Sequence, residues 1–392
     1  MTSENKRHDN QAAHVPAHAK RGSRFRRTAV AAGLAAGVAL LCAAAVPAAA
    51  AATAATAATT ATTATASAPH AAAVSGHATA SASEAATAAK RTVAYWTRGR
   101  MLSARSGAIT TSASAAHATP VRASGPAGRV AGAAADEALA GPSPRISTPD
   151  RPAVRPDAGS VGNPWTGSLY SAPATTTGKV FFTTHNDKNW VCSGSAVNSG
   201  GKDSVITAGH CVYGSLGGEV PGEGWHTNWV FVPDYDNGYA PYGMWTAKQL
   251  WTLSNYIANQ DEADDIGGAV INTNSYGQHI VNVVGGQGFA WNWSSSEYVY
   301  DFGYPAAAPF NGATLQYCNG SEFNWTSVSS TTGLACNFTG GSSGGPWLMS
   351  FNGTSGYING VNDFVYTSLP GYIFSAYFGN NADSLYNAMA NL

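Results

Sequence analysis

The 392 residues carry a net charge of −1 that is a cancellation of two unlike parts. From Val161 onward there are four Lys, no Arg and fifteen Asp plus Glu, a formal −11, whereas the first 160 residues carry seventeen basic and seven acidic side chains, a formal +10. This asymmetry argues against nucleic-acid binding by the C-terminal part and fits an acidic domain escorted by a basic leader.

In chain order, Lys20, Arg21, Arg24, Arg26 and Arg27 precede an uncharged Ala-rich run from Thr28 to Ala52 that closes on small residues suited to A-x-A cleavage. That pattern predicts a secretory signal over 1–52 and a secreted, extracellular product. A membrane anchor is the alternative, but Ala contributes little transfer energy, so no stable membrane association is expected. Cys42 follows Leu41 rather than a small residue, which disfavours a lipid-modified cysteine, and it leaves with the signal. Residues 53–164 are mostly Ala, Thr, Ser, Gly and Pro; such a composition buries too little surface to offset chain entropy and predicts a disordered leader or propeptide.

A domain is expected over 165–392, where the character changes. Short segments such as "GKVFFTT", "SVITAGHCVY", "NWVFVPDY", "GGAVINT" and "SEYVYDFGYP" are rich in β-branched and aromatic residues and are separated by Gly, Asn, Pro and Ser. The spacing predicts an all-β sandwich or barrel. Only the tail "NADSLYNAMANL" suggests a helix, with Leu385, Met389 and Leu392 at helical spacing and Asn381 or Asp383 as a cap. With Cys42 removed, Cys192, Cys211, Cys318 and Cys336 remain, an even number that favours two disulfides, for which three pairings are open. The sequential pairing would contribute about 3 kcal/mol per bridge in the chain-entropy model. No Cys or His pair has zinc-ligand spacing, so neither metal nor other cofactor is expected.

In "SVITAGHCVY" an apolar strand ends at Ala208 and Gly209 and delivers His210 beside a cysteine. A general base has to be held rigidly near its nucleophile, and a strand end next to a disulfide is a suitable platform. His185, His226 and His279 have no such setting and read as surface or core residues. In "DEADDIGGAVIN", Asp265 directly precedes an apolar run, where burial would let it hold an imidazole tautomer; Asp261, Glu262 and Asp264 read as a solvated loop. The loop "CNFTGGSSGGPWLMS" holds Ser343 between glycines and runs straight into an apolar strand, unlike a linker. Gly341, Ser343 and Gly345 match a nucleophile elbow, but that fold needs its His after the serine, and the last histidine is His279. The order His210, Asp265, Ser343 is instead that of chymotrypsin.

"TAGHC" with Cys192 upstream, "DIGGAV" and "GGSSGGP" together resemble the three signature segments of the chymotrypsin-like serine peptidases, over roughly Lys179 to Leu392. Within them the chain is most similar to secreted bacterial enzymes of the glutamyl endopeptidase type. The resemblance implies two six-stranded antiparallel β-barrels with a short C-terminal helix, and peptide-bond hydrolysis through an acyl-enzyme. It implies Ser343 as nucleophile, His210 as base, Asp265 as orienting carboxylate, and the N–H groups of Gly341 and Ser343 as an oxyanion hole. The expected partners are protein or peptide substrates and the chain's own propeptide, with the enzyme a monomer. Two positions depart from the pattern. Ser342 stands where trypsin-type enzymes carry an Asp that receives a freed N-terminus, and no "IVGG"-like start is visible. Asn362 and Phe338 occupy the positions that bind the substrate carboxylate in glutamyl endopeptidases, so with Thr339 and Asp363 they are expected to line the substrate subsite without a preference for Glu. Two other classes compete: an inactive homologue, and a sugar-binding module built on Trp225, Trp229, Trp245, Trp251, Trp291 and Trp293. The filled triad positions favour the active enzyme.

Overall fold

The computed structural model describes residues 72–111, 121, 123–136, 161–214, 224–325 and 330–392. Contacts divide the chain between Thr65 and Ala66, and every described residue belongs to the second unit. The expected signal over 1–52, with Cys42, lies outside the described residues.

A shortage of large apolar side chains over 53–164 does not leave that stretch without structure. It contributes β1 (Val74–Ala78), α1 (Ala85–Tyr95), α2 (Arg98–Ser103), β2 (Arg105–Ser106), β3 (Ile109–Thr111), β4 (Gly128–Val130) and β5 (Asn163–Pro164). The expectation of a disordered leader does not hold for these elements. The physical reason is that backbone N–H and C=O groups pair on sheet edges whatever the side chains. Two large side chains add apolar anchorage: Trp96 is 1% exposed with its ring 5.4 Å from Phe181, and Met101 is 5% exposed. Burying each contributes about 1.5–3 kcal/mol.

β-branched and aromatic residues then build a closed barrel from β6 (Thr177–Thr183), β7 (Asn189–Val197), β8 (Ser204–Thr207), β9 (Thr227–Pro233), β10 (Trp245–Leu253) and β11 (Gly267–Ile271). The order is β10-β11-β8-β7-β6-β9, all antiparallel, and β9 closes on β10 with Phe231 opposite Trp245. β6 is buried along its whole length: its side chains alternate between faces, Phe181 packing against Trp96 and Phe182 against His226. Between β10 and β11 the chain makes α3 (Ser254–Asn259) and a 3-10 turn over Glu262–Asp264. α4 (Ile280–Val284) follows and leads into the second half.

That half consists of β12 (Gly288–Trp291), β13 (Tyr298–Gly303), β14 (Gln316–Ser321), β15 (Phe323–Asn324), β16 (Thr331–Ala335), β17 (Pro346–Met349), β18 (Tyr357–Val361), β19 (Phe364–Tyr366) and β20 (Tyr372–Ala376). They form two sheets, β4-β12-β18-β17-β13-β14-β5 and β15-β16-β20-β19-β3, so leader strands add to both. The Cys318–Cys336 disulfide ties β14 to the chain just after β16, and the Ser375 hydroxyl on β20 accepts the N–H of Val361 on β18 at 3.0 Å. The sheets are thereby joined at both ends. The chain closes with α5 (Asn380–Met389), which buries Ala382, Leu385, Tyr386 and Met389. Gly379 occupies its cap position, and Leu392 lies beyond the last turn and is exposed.

Candidate active site

β8 ends at Thr207 and Ala208 stays extended, after which Gly209–Cys211 form a 3-10 turn. Cys211 is bonded to Cys192 on β7, with 6.2 Å between the Cα atoms, so the turn is fixed to the barrel wall. Gly209 is needed here, because a Cβ on it would stand 2.9 Å from Asp265 Oδ1 and 3.0 Å from the Tyr256 ring. That close approach lets Asp265 grip His210 twice. The His210 backbone N–H donates to Asp265 Oδ1 at 2.8 Å, and ring Nδ1 meets Oδ2 at 2.7 Å. Both residues are buried, at 0% and 1% exposure. With a carboxylate accepting at Nδ1 the proton sits there, and Nε2 is left as the basic nitrogen. Nε2 is buried and has no hydrogen-bond partner among the described residues.

Asp264 lies one residue away and does something else: its carboxylate accepts from the amides of Asn255 and Asn381. The ring of His279 meets Asp203 at 2.6 Å, far along the chain from this turn. His226, which shows no local motif, supports the site from beneath. Its Nε2–H donates to the His210 carbonyl at 3.0 Å, and its ring stacks on Phe182 at 4.3 Å. Burial lowers its pKa to about 3, so it serves as a neutral donor. Trp229 adds a second support, its indole N–H donating to the Cys211 carbonyl at 2.9 Å.

The Ser343 loop is pinned on both sides. The Ser343 carbonyl accepts the Ser193 N–H of β7 at 2.7 Å, and the Gly344 N–H donates to the Asn362 carbonyl at 2.6 Å. The Ser193 hydroxyl donates to the Gly341 carbonyl at 2.9 Å. Gly344 has a left-handed φ of +78°, and a Cβ there would sit 2.0 Å from Thr207 Oγ1 and 2.8 Å from the Ala208 nitrogen. Only glycine lets the loop close onto the strand end that carries His210. Ser343 is 4% exposed, and no hydrogen bond joins it to His210 Nε2. The N–H groups of Gly341 and Ser343 donate to no acceptor among the described residues.

The four residues expected to line a substrate subsite are all buried or half-buried. Phe338 is buried and packs edge-on against Phe310 at 5.8 Å. Thr339 is half-buried and exchanges two hydrogen bonds with the Ala307 backbone. Asn362 is fully buried with its side chain spent internally: Oδ1 accepts from the Trp347 indole at 2.8 Å, and Nδ2 donates to Asp301 at 2.7 Å and to the Ser342 carbonyl at 3.3 Å. Both amide atoms of Asn362 are thus engaged by neighbouring protein groups. Asp363 is buried too, accepting the Ala376 N–H at 2.5 Å, and burial together with the charge of Asp265 pushes its carboxyl well up.

No protein-family model and no curated protein match the chain. Among solved structures it is similar to the protease Anisep from Arthrobacter nicotinovorans, at 40% identity over 59% of this chain and 100% of that one, with a TM-score of 0.52. It is also similar to the thermostable serine protease AL20 from an extremophilic microorganism, at 40% identity over 55% of this chain and 97% of that one, with a TM-score of 0.51. The chain belongs to the chymotrypsin-like serine peptidases. In this peptidase the tryptophans considered as a sugar platform are packing residues. Trp229 and Trp245 are each 2% exposed, and Trp225, Trp251, Trp291 and Trp293 lie half-buried against the apolar clusters.

Proposed function

We propose that the peptidase is a secreted serine endopeptidase in which Ser343 is the nucleophile, His210 the general base and Asp265 the group that orients it. The double grip of Asp265 on His210, at 2.8 and 2.7 Å, carries this reading because it fixes both the position and the tautomer of the imidazole. His210 Nε2 takes the Ser343 hydroxyl proton as Oγ attacks the substrate carbonyl, and it returns that proton to the leaving amine. Water then hydrolyses the ester by the same base in a second cycle. Serine–base contacts in the unliganded state are commonly longer than in the reacting complex, which accommodates the open Ser343–His210 pair. The unpaired N–H groups of Gly341 and Ser343 suit an oxyanion hole, each donor supporting about 3 kcal/mol of transition-state stabilisation.

Two disulfides and relatives that are serine proteases support an extracellular site of action, and no helix among the described residues is long and apolar enough to cross a membrane. The substrates are proteins or peptides, the working form is a monomer, and no metal or cofactor takes part. Selectivity for Glu is absent, because Phe338 and the committed Asn362 offer no polar partner for a carboxylate, and an unpaired buried charge is costly. An activated ester substrate tests the reading: mass spectrometry should find the acyl group on the Ser343 peptide, and acylation at another residue would overturn it.

A further inference from the structure

The segment from β2 to β3 crosses the molecule at the Ser343 loop. β2 pairs in parallel with β7, Arg105 opposite Trp190 and Ser106 opposite Val191, on the strand whose Cys192 holds the His210 turn. Gly107 is buried, and its carbonyl carbon and oxygen come so near Gly340 that a Cβ there would meet them at 2.6 and 2.7 Å. Gly340 directly precedes Gly341. β3 then pairs in parallel with β19, Ile109 opposite Phe364, Thr110 opposite Val365 and Thr111 opposite Tyr366. β19 begins one residue after Asp363. Without β3 it would be the free edge of its sheet, the kind of edge to which an extended peptide adds as a strand.

We propose that residues 105–111 are a built-in strap that occupies the groove beside Ser343 and keeps peptides off the β19 edge until the leader is displaced. This inference rests on the reading of Ser343 as nucleophile. Ile109 is half-buried and packs on apolar clusters from both halves of the peptidase, so the strap bridges them. Upstream, Trp96 and Met101 anchor it, and the Trp96 indole N–H donates to the Asn228 carbonyl at 2.5 Å. Tyr95 also donates to Asn189 at 2.9 Å, and β1 pairs with β10 along Val74–Ala78. α1 buries no residue, and a cavity of about 390 Å³ lies where its Ala85, Ala88 and Ala89 face Trp229 and Lys248. β2 pairs off the path of the barrel sheet and β3 is the last strand of its own, so the strap can leave without unfolding the barrel.

The test uses the full chain, with and without the double substitution Ile109→Asp and Thr110→Pro, which removes an apolar contact and a backbone donor within the strap. In a Ser343→Ala background, hydrogen exchange at Phe364–Tyr366 should speed up in the double variant. With Ser343 restored, uncut double variant should hydrolyse a peptide and react with a fluorophosphonate about tenfold faster than uncut parent, as a groove closed in nine molecules of ten requires. Unchanged exchange would show that the strap does not cover β19 and would overturn the proposal. Faster exchange with equal, measurable reactivity in both forms would overturn inhibition by the strap while leaving Ser343 as the nucleophile. No reaction at Ser343 in either form would instead overturn the catalytic reading, and the strap's role with it.

Discussion

Replacing Asn362 by alanine tests whether this residue braces the Ser343 loop or contacts substrate. The substitution strands the Trp347 indole N–H and Asp301 Oδ1, both buried, and releases the Ser342 carbonyl. Each stranded buried group costs about 1–3 kcal/mol, so two cost about 2–6 kcal/mol. That is a large part of the roughly 5–15 kcal/mol by which a domain is stable. Burial already holds Asp301 well above the usual carboxylate range, with the Asn362 hydrogen bond pulling the other way, so removing Asn362 leaves the carboxyl more firmly protonated. Urea unfolding followed by Trp fluorescence measures the loss, and cleavage of a peptide library measures preference. The expected outcome is a large drop in stability with the ranking of cleaved bonds unchanged. A loss below about 1 kcal/mol, accompanied by a new side-chain preference before the cut bond, would refute the bracing role.

Three other outcomes are expected. Asp265→Asn should keep its fold yet lower kcat by about 10⁴-fold through the wrong imidazole tautomer. Asp264→Asn should change little, because that carboxylate bonds exposed amides; steady-state rates on one peptide decide, and the reverse pattern would move the orienting role to Asp264. Glu322 is buried, and burial raises its carboxyl well above the ordinary value, so it binds its proton more tightly folded than unfolded. The stability this contributes is complete below about pH 4 and is lost as pH rises through the raised value. Glu322→Gln should therefore flatten the decline of Tm on the alkaline side, and an equal decline in both proteins would count against it. Trp165 packs its ring against Phe302, Tyr317 and Phe351, and its backbone N–H donates to the Leu315 carbonyl at 2.9 Å. Within the stretch from Pro142 to Gly178 where the composition changes, the mature chain should accordingly start no later than Trp165, and a stable secreted product that begins beyond Trp165 would contradict this.

What could be read from the sequence was whatever a short local pattern encodes. "SVITAGHC" carries a strand, a glycine for close approach and a cysteine in one run, so the setting of His210 is visible before any fold is known. The burial of Asp265 was legible because it stands at the entry to an apolar strand. His226 was not: it reaches the His210 carbonyl only because β9 lies beside β6 and stacks its ring on Phe182, and no neighbour in sequence reports that. The internal hydrogen bonds of Asn362 were not legible for a related reason. Its position after the serine suggests a pocket wall, while its burial depends on Trp347 and Asp301 arriving from β17 and β13. The docked leader escaped composition because β1 to β5 attach mainly through backbone pairing, which alanine, glycine and serine supply as well as larger residues do.

The central claim is that Ser343 is a nucleophile made reactive by His210. Fluorophosphonate labelling of the purified peptidase, located by mass spectrometry of its peptides, tests it most directly when wild type, Ser343→Ala and His210→Ala are compared in the strap-opened form. A single adduct on Ser343 is expected, absent in Ser343→Ala and formed several orders of magnitude more slowly in His210→Ala. An adduct at another residue, or labelling of Ser343 that is indifferent to the loss of His210, would contradict it.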